Sequence, residues 1–267
     1  MKVLHGRLGK VSLVGAGPGD PELLTVKGMR ALRTAEVVLY DRLVSPRLLD
    51  EAPADAERIQ VGKHGGHYSF PQDKINRLLV ERARRGMNVV RLKGGDSFLF
   101  GRGGEEVRFL REHGIPCEVI PGVSSALAAP AAAGIPVTER GIASSVAIVS
   151  GHQVKDARNP VCWSSLASAA DTLVVMMALR NLRSIVHQLI INGRSLTTPA
   201  AAIQSATTPH QRVVVSSLRD IAEEAERQGL VSPVLLIVGE VVHMADSRPV
   251  EGSVADEPAK SVQGMGR

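Results

Sequence analysis

Four short segments of this chain hold the residues whose types and spacing could do chemistry. The first is Gly15-Ala16-Gly17-Pro18-Gly19-Asp20-Pro21, which follows an apolar run and precedes a helical pattern. Glycines at such a turn let the backbone bend sharply and lie close to a ligand. A dinucleotide fingerprint would need a third glycine where Asp20 stands, and Pro18 removes an amide donor. The purely structural alternative is a strand-to-helix turn in which Asp20-Pro21 starts the next helix. The second segment, residues 91–106, carries five glycines, at 94, 95, 101, 103 and 104. Glycines cost chain entropy, which a fold tolerates where backbone must pass a ligand. Asp96 is placed to accept hydrogen bonds from a ribose or an amine. Glu105 and Glu106 read as the acidic first turn of the following helix.

The third segment is Tyr40-Asp41-Arg42-Leu43-Val44-Ser45, with Val61-Gly62-Lys63 ending the next strand. An Asp and a Lys on neighbouring strand ends can share a cleft as base and acid. Taken alone, Asp41-Arg42 also reads as a local ion pair or a turn cap. The fourth segment, Pro121-Gly122-Val123-Ser124-Ser125-Ala126, is a turn into an alanine-rich helix whose amides can face a ligand. His64 and His67 have metal-ligand spacing but no third ligand, so no metal is expected there. P-loop, nucleophile-elbow and zinc signatures do not occur.

Elements must place these segments. Apolar, β-branched runs at 11–14, 37–40, 58–61, 88–92 and 117–120 alternate with helical periodicity at 23–35, 72–85 and 104–113. Alternation of that kind predicts right-handed crossovers and a mainly parallel sheet. These segments then fall directly at strand carboxyl ends, where open α/β sheets bind ligands. Residues 128–141, rich in Ala, Gly and Pro, read as a link between domains. Further strands are predicted at 145–150, 172–177, 200–204, 212–217 and 234–238, the last buried on both faces. The expected division is an α/β domain over 9–135, a second α/β domain over 142–243, and a disordered tail over 244–267.

Composition narrows the partners. A chain of 267 residues with 44% hydrophobic content suits two packed domains. No apolar run is long enough to span a bilayer, and the first residues lack a signal-peptide core. Cys117 and Cys162 have no close cysteine neighbours, which argues against a disulfide framework and for a reducing cytoplasm. The formal charge of +5 favours an anionic partner, but only 3% of residues are aromatic. Stacking on single-stranded nucleic acid requires such rings, so a small polyanion is the better reading and neither nucleic acid nor membrane is expected.

Together these segments resemble the tetrapyrrole methylases. The match spans residues 9–242, and its most specific strings are VGAGPGDPELLT, VLYDRLVSP, VGKHGGHYSFPQDKINRLL and VVRLKGGDSFLFGRGGEE, followed by Pro199–Gln204 and the stretch at 206–212. The resemblance implies a two-domain tetrapyrrole methylase fold, with a mainly parallel N-terminal sheet and a mixed C-terminal sheet. It implies S-adenosyl-L-methionine as co-substrate, S-adenosyl-L-homocysteine as product, and no metal. It is strongest to members that methylate uroporphyrinogen III at C2 and C7, giving precorrin-2 via precorrin-1, and weaker to methylases acting later on precorrins. A homodimer is implied as well.

Carried over position by position, the cofactor site comprises Pro18, Gly94, Gly95, Asp96, Leu99, Ser124, Ser125, Met177 and Ala206. Asp41 matches the proton acceptor and Lys63 the proton donor. The substrate's carboxylates would meet Arg42, Arg102, Arg140 and Arg212, because guanidinium groups pair with carboxylates two bonds at a time. The chain departs from the pattern at Ser97 (usually Pro), Glu139 (His), Met176 (Tyr), Gln204-Ser205-Ala206 (Glu-Asn-Gly) and near Ser124-Ser125. Those departures motivate one alternative, a homologue that binds cofactor without turnover. The first glycine loop alone motivates another, a nicotinamide oxidoreductase.

Overall fold

The computed structural model describes residues 8–62, 70–152 and 160–245. Of the tail expected over 244–267, Met244 closes a 3-10 turn, Glu240–Met244, while residues from 246 onward, like Lys63, His64 and His67, lie outside the described residues. Five strands form the first sheet: β1 (Val11–Gly15), β2 (Val37–Tyr40), β3 (Glu57–Gln60), β4 (Val89–Lys93) and β5 (Cys117–Ile120). Their order is β3-β2-β4-β1-β5, and every pairing is parallel. In the register Gly15 lies opposite Lys93 and Tyr40 opposite Leu92, so these carboxyl ends finish level and form one edge.

Helices cover both faces of this sheet, as an all-parallel sheet requires. They are α1 (Val26–Leu32), α2 (Pro46–Leu49), α3 (Gln72–Arg84) and α4 (Gly103–Glu112). Leu13, Leu39 and Val89 pack against Ile75 and Leu79 of α3 and Val107 and Leu110 of α4. Val14, Val38, Val90 and Leu92 point the other way, onto Leu32 of α1 and Leu48 of α2. The helix predicted over 23–35 is divided. Asp20 caps a single 3-10 turn, Pro21–Leu23, and Thr25 then caps α1 by accepting from the Gly28 amide at 3.1 Å.

The second sheet contains β6 (Val146–Ser150), β7 (Thr172–Met176), β8 (Pro199–Gln204), β9 (Arg212–Ser217) and β10 (Val234–Val238). Its order is β6-β7-β10-β8-β9, with β6 and β7 parallel and the other pairs antiparallel. The sheet is therefore mixed, and β10 lies at its centre with all five residues buried. α6 (Trp163–Ala169), α7 (Leu182–Ile191) and α8 (Ile221–Arg227) cover one face.

The other face is covered by α5 (Ser125–Ala132), which follows the first sheet in sequence. Ala126, Ala129 and Ala133 pack onto Val174, Ala201, Ile203 and Ile237 of the second sheet. The link predicted over 128–141 thus begins inside a helix. Small side chains at spacings of three and four make a narrow apolar stripe, which composition alone reads as a linker. Pro130 sits within α5 and is buried with it.

Candidate active site

Three loops at the carboxyl edge of the first sheet touch backbone to backbone. Gly17 and Gly95 form an antiparallel bridge, with the Gly95 amide donating to the Gly17 carbonyl at 2.7 Å and the reverse bond at 3.2 Å. Asp96 ties the loop after β4 to the loop after β5: Oδ2 accepts from the Gly122 amide at 3.0 Å, and Oδ1 from the Phe98 amide at 2.8 Å. Gly15 and Gly122 approach so closely that a Cβ on Gly15 would stand 2.6 Å from the Gly122 Cα.

Four of the five glycines over residues 91–106 divide by purpose. A Cβ at Gly101 would lie 2.6 Å from the Ser97 carbonyl oxygen, and Gly103 meets the same oxygen, so these two serve the loop's own packing. At Gly94 and Gly95 a Cβ would meet only Leu43 at 3.6 Å and the Ser125 amide at 3.8 Å. Gly95 has φ +67°, which disfavours a side chain, and neither position is filled by protein. That bare strip of backbone is a cradle into which a flat ligand can settle.

The second sheet brings its own loops to this cradle. Both β7 and β8 run antiparallel to β10, so their carboxyl ends share an edge. Met177 follows β7 with φ +56°, and Ser205 and Thr207 follow β8 with φ +46° and +63°. With Phe100 and Arg102, these are the non-glycine residues at positive φ among the described residues, and all lie in the loops of this site. Backbone strain of that kind collects at ligand sites. The two edges are joined where the Asp20 amide donates to Thr207 Oγ1 at 3.1 Å. Leu99 packs onto the cluster formed by α5 and the second sheet.

Of the expected cofactor residues, Gly94, Gly95, Asp96 and Leu99 share the loop after β4, Ser124 and Ser125 start α5 beside Gly95, Ala206 lies against Gly19 next to Pro18, and Met177 follows β7. Ser124 has a structural duty too, its Oγ accepting from the Ala126 amide at 3.1 Å. Ser97 is wholly buried and, among the described residues, its hydroxyl has no hydrogen-bond partner. Gln204 Oε1 accepts from the Val231 amide at 2.7 Å.

Asp41 stands at the end of β2 and pairs with Arg91 of β4 at 2.6 Å rather than with its neighbour Arg42. Of the expected substrate arginines, Arg42 and Arg140 are exposed. Arg102 is paired with Glu105 at 2.6 Å. Arg212 donates to the Gln228 carbonyl at 2.8 Å, capping the end of α8.

Charged residues that sequence reasoning passed over lie behind Asp41. Arg91 and Lys93 are each 2% exposed on β4, and Glu106 of α4 is fully buried. Glu106 Oε1 accepts from Arg91 Nε at 3.1 Å, Lys93 Nζ at 3.1 Å and Gln72 Nε2 at 3.0 Å. Burial, and then the adjacent Arg91 charge, push the Lys93 ammonium below its ordinary pKa. Burial also works against the Arg91 charge, but the Asp41 and Glu106 carboxylates outweigh it and raise Arg91. The signal was present in the sequence: 103, 106, 107 and 110 share one helical face, and Glu106 is on it.

Comparison with known proteins agrees with this geometry. The family described as tetrapyrrole (corrin/porphyrin) methylases matches residues 10–222. The chain belongs to the tetrapyrrole methylase family. It is 51% identical over 241 residues to the uroporphyrinogen-III C-methyltransferase of Methanocaldococcus jannaschii, covering 90% of this chain and 99% of that one. It is 52% identical over 239 residues to the siroheme synthase of Azotobacter vinelandii, of which it spans only 51%. The crystal structure of a Thermus thermophilus uroporphyrin-III C-methyl transferase complexed with S-adenosyl homocysteine superposes with a TM-score of 0.76 at 45% identity, covering 88% of this chain and 99% of that one. A cobalt precorrin-4 methyltransferase superposes equally well, at 0.77, with 28% identity over 87% of this chain and 95% of that one.

Proposed function

We infer that the chain transfers methyl groups from S-adenosylmethionine to C2 and C7 of uroporphyrinogen III, giving precorrin-2 via precorrin-1. The observation that carries this reading is the 51% identity running through 99% of the Methanocaldococcus methyltransferase. Fold alone does not choose the substrate, because the precorrin-4 enzyme superposes as closely at far lower identity. The partner is a small tetrapyrrole rather than nucleic acid or membrane. A homodimer, a cytoplasmic location and a division into units over 9–135 and 142–243 belong to the same proposal. Among the described residues no helix is long and apolar enough to cross a membrane.

When bound, the co-substrate supplies a methyl group on a positively charged sulfur, ready for attack by an electron-rich pyrrole carbon. The residues of this chain hold and orient. Gly94 and Gly95 present bare backbone, and Asp96 holds their loop against the loop after β5. Fixing two reactants near contact supplies roughly 7–11 kcal/mol of a barrier. Asp41 accepts the proton released from the alkylated ring. Arg42, Arg102, Arg140 and Arg212 are the candidates for the substrate's carboxylates, and Lys63, the proposed donor, lies outside the described residues.

Incubation of the purified protein with anaerobic uroporphyrinogen III and S-adenosylmethionine tests the reading. Mass spectrometry is expected to show a product heavier by two CH2 units, one methyl gained and one proton lost per transfer, and no gain beside an active control overturns the reading. Asp41→Asn is expected to lower kcat by about 10²–10⁴-fold, the usual contribution of a positioned base. Its affinity for S-adenosylhomocysteine, measured by calorimetry, should stay at the wild-type value.

A further inference from the structure

Asp41 is the outer end of a chain of four charges that runs into the core of the first unit. The Arg91 guanidinium is held on every side: Nη2 donates to Asp41 at 2.6 Å, Nε to Glu106 at 3.1 Å, and Nη1 to the Leu92 and Leu39 carbonyls at 3.3 and 3.5 Å. It cannot turn without breaking several bonds at once. Glu106 is in turn held by Lys93 and by Gln72, whose Nε2 also reaches Asn76 Oδ1 at 3.1 Å. Arg91 lies opposite Leu13 and Leu39 in the sheet, on the face that Val107 and Leu110 of α4 help to cover.

Packing does not explain such an arrangement. Buried ion pairs seldom stabilise more than apolar residues of the same volume, because each charge must be stripped of water. A costly charge cluster that surfaces at one carboxylate, at a strand end beside a ligand cradle, points to that carboxylate.

We propose that Arg91, Glu106 and Lys93 are positioning residues for the reaction: Arg91 fixes the orientation of Asp41, Glu106 fixes Arg91, and Lys93 anchors Glu106. The proposal rests on Asp41 being the base. It assigns opposite electrostatic signs to the first two residues. Arg91 sets a positive charge against the Asp41 carboxylate, whereas Glu106 partly offsets that charge from the other side of the guanidinium. Other charges act around the cluster as well. Lys93 stands beside Arg91 on β4, Glu105 and Arg102 lie at the start of α4, and Tyr40 and Arg42 flank Asp41 in its own segment.

The test is the pH dependence of kcat for the wild type, Arg91→Gln and Glu106→Gln, with anaerobic uroporphyrinogen III. The acid limb, where the base becomes protonated, should move to higher pH in Arg91→Gln, since removing an adjacent opposite charge disfavours the ionised carboxylate. In Glu106→Gln it should move down, with a lower plateau. KM for S-adenosylmethionine should not change in either.

A structural role alone would lower the yield of folded protein and leave the limb in place, or move it the same way in both variants; either result overturns the proposal. Should Glu106→Gln not fold, Arg91→Gln carries the test, because it leaves Glu106 paired with Lys93. Carbon-13 NMR titration of the Asp41 carboxyl separates the two readings. Full activity in Asp41→Asn removes the base assignment and the proposal with it. An inactive Asp41→Asn, combined with an Asp41 titration unmoved in Arg91→Gln, overturns the positioning proposal and leaves the methyl transfer standing.

Discussion

Asp96 and Ser97 are neighbours in the most informative loop of the chain, and the structure uses them differently. Each carboxylate oxygen of Asp96 accepts a backbone amide, so the residue braces two loops. Each oxygen keeps a second lone pair, and those are what a ligand hydroxyl or amine would use. Ser97 points a hydroxyl into a fully buried site with no partner among the described residues. Leaving such a group unsatisfied costs about 1–3 kcal/mol, so Ser97→Ala is expected to raise stability by about 1 kcal/mol. A urea midpoint shifted upward with an unchanged slope checks this, and a lower midpoint refutes it. Cys117 is quieter: burial at the start of β5 pushes its thiol up to about 11, away from thiolate chemistry.

Among the elements, β4 shows how far a pattern can be read. Val89, Arg91 and Lys93 alternate with Val90 and Leu92, so period two puts both cations on one face. Whether that face meets water or a helix is not a property of the strand. At the second sheet the start of β6 is secured by Asp171, just before β7. Its Oδ2 accepts from the Ser144 amide at 2.8 Å, the Ser145 amide at 3.0 Å, and both serine hydroxyls at 3.1 and 2.9 Å. The Ser144 amide and then the serine hydroxyls hold its pKa below the ordinary carboxylate value. A carboxyl whose pKa falls on folding stabilises above its unfolded pKa, about 3.9, and loses that contribution as pH drops through the lowered folded value. Asp171→Ala should therefore melt below wild type at pH 7, and the difference should close in strong acid. A difference that persists unchanged at low pH would mean the carboxylate charge is not its source.

At the scale of the whole molecule, the two sheets are joined by buried surface rather than by a strap. α5 belongs to the first unit by sequence and to the second by packing, and Leu99 enters the same cluster from the loop after β4. The Asp20–Thr207 and Gln211–Ala132 hydrogen bonds, at 3.1 Å each, cross the same seam. Unfolding of the units should consequently be coupled. Trp163, the single tryptophan, is buried in the core of the second unit and reports on it alone. Its fluorescence and the far-ultraviolet circular dichroism of the whole chain should follow one denaturation curve. Curves separated on the denaturant axis would show that the seam does not couple the units.

The parallel first sheet, the strand ends and the glycine loops at them were legible in the chain itself, because strands, turns and glycine positions obey local rules. Asp41 and the Gly94-Gly95 pair could be singled out as candidates for the same reason, since each follows a strand. Residue order did not reveal that Gly101 and Gly103 serve packing, that the supposed linker is partly α5, or that Asp41 answers to Arg91 instead of Arg42. Nor did it place Glu106 at the centre of a buried charge cluster. Those facts depend on which surfaces come together and exclude water. Burial, which turns an ordinary carboxylate or ammonium into a costly and directed charge, exists only once the sheet and its helices have met.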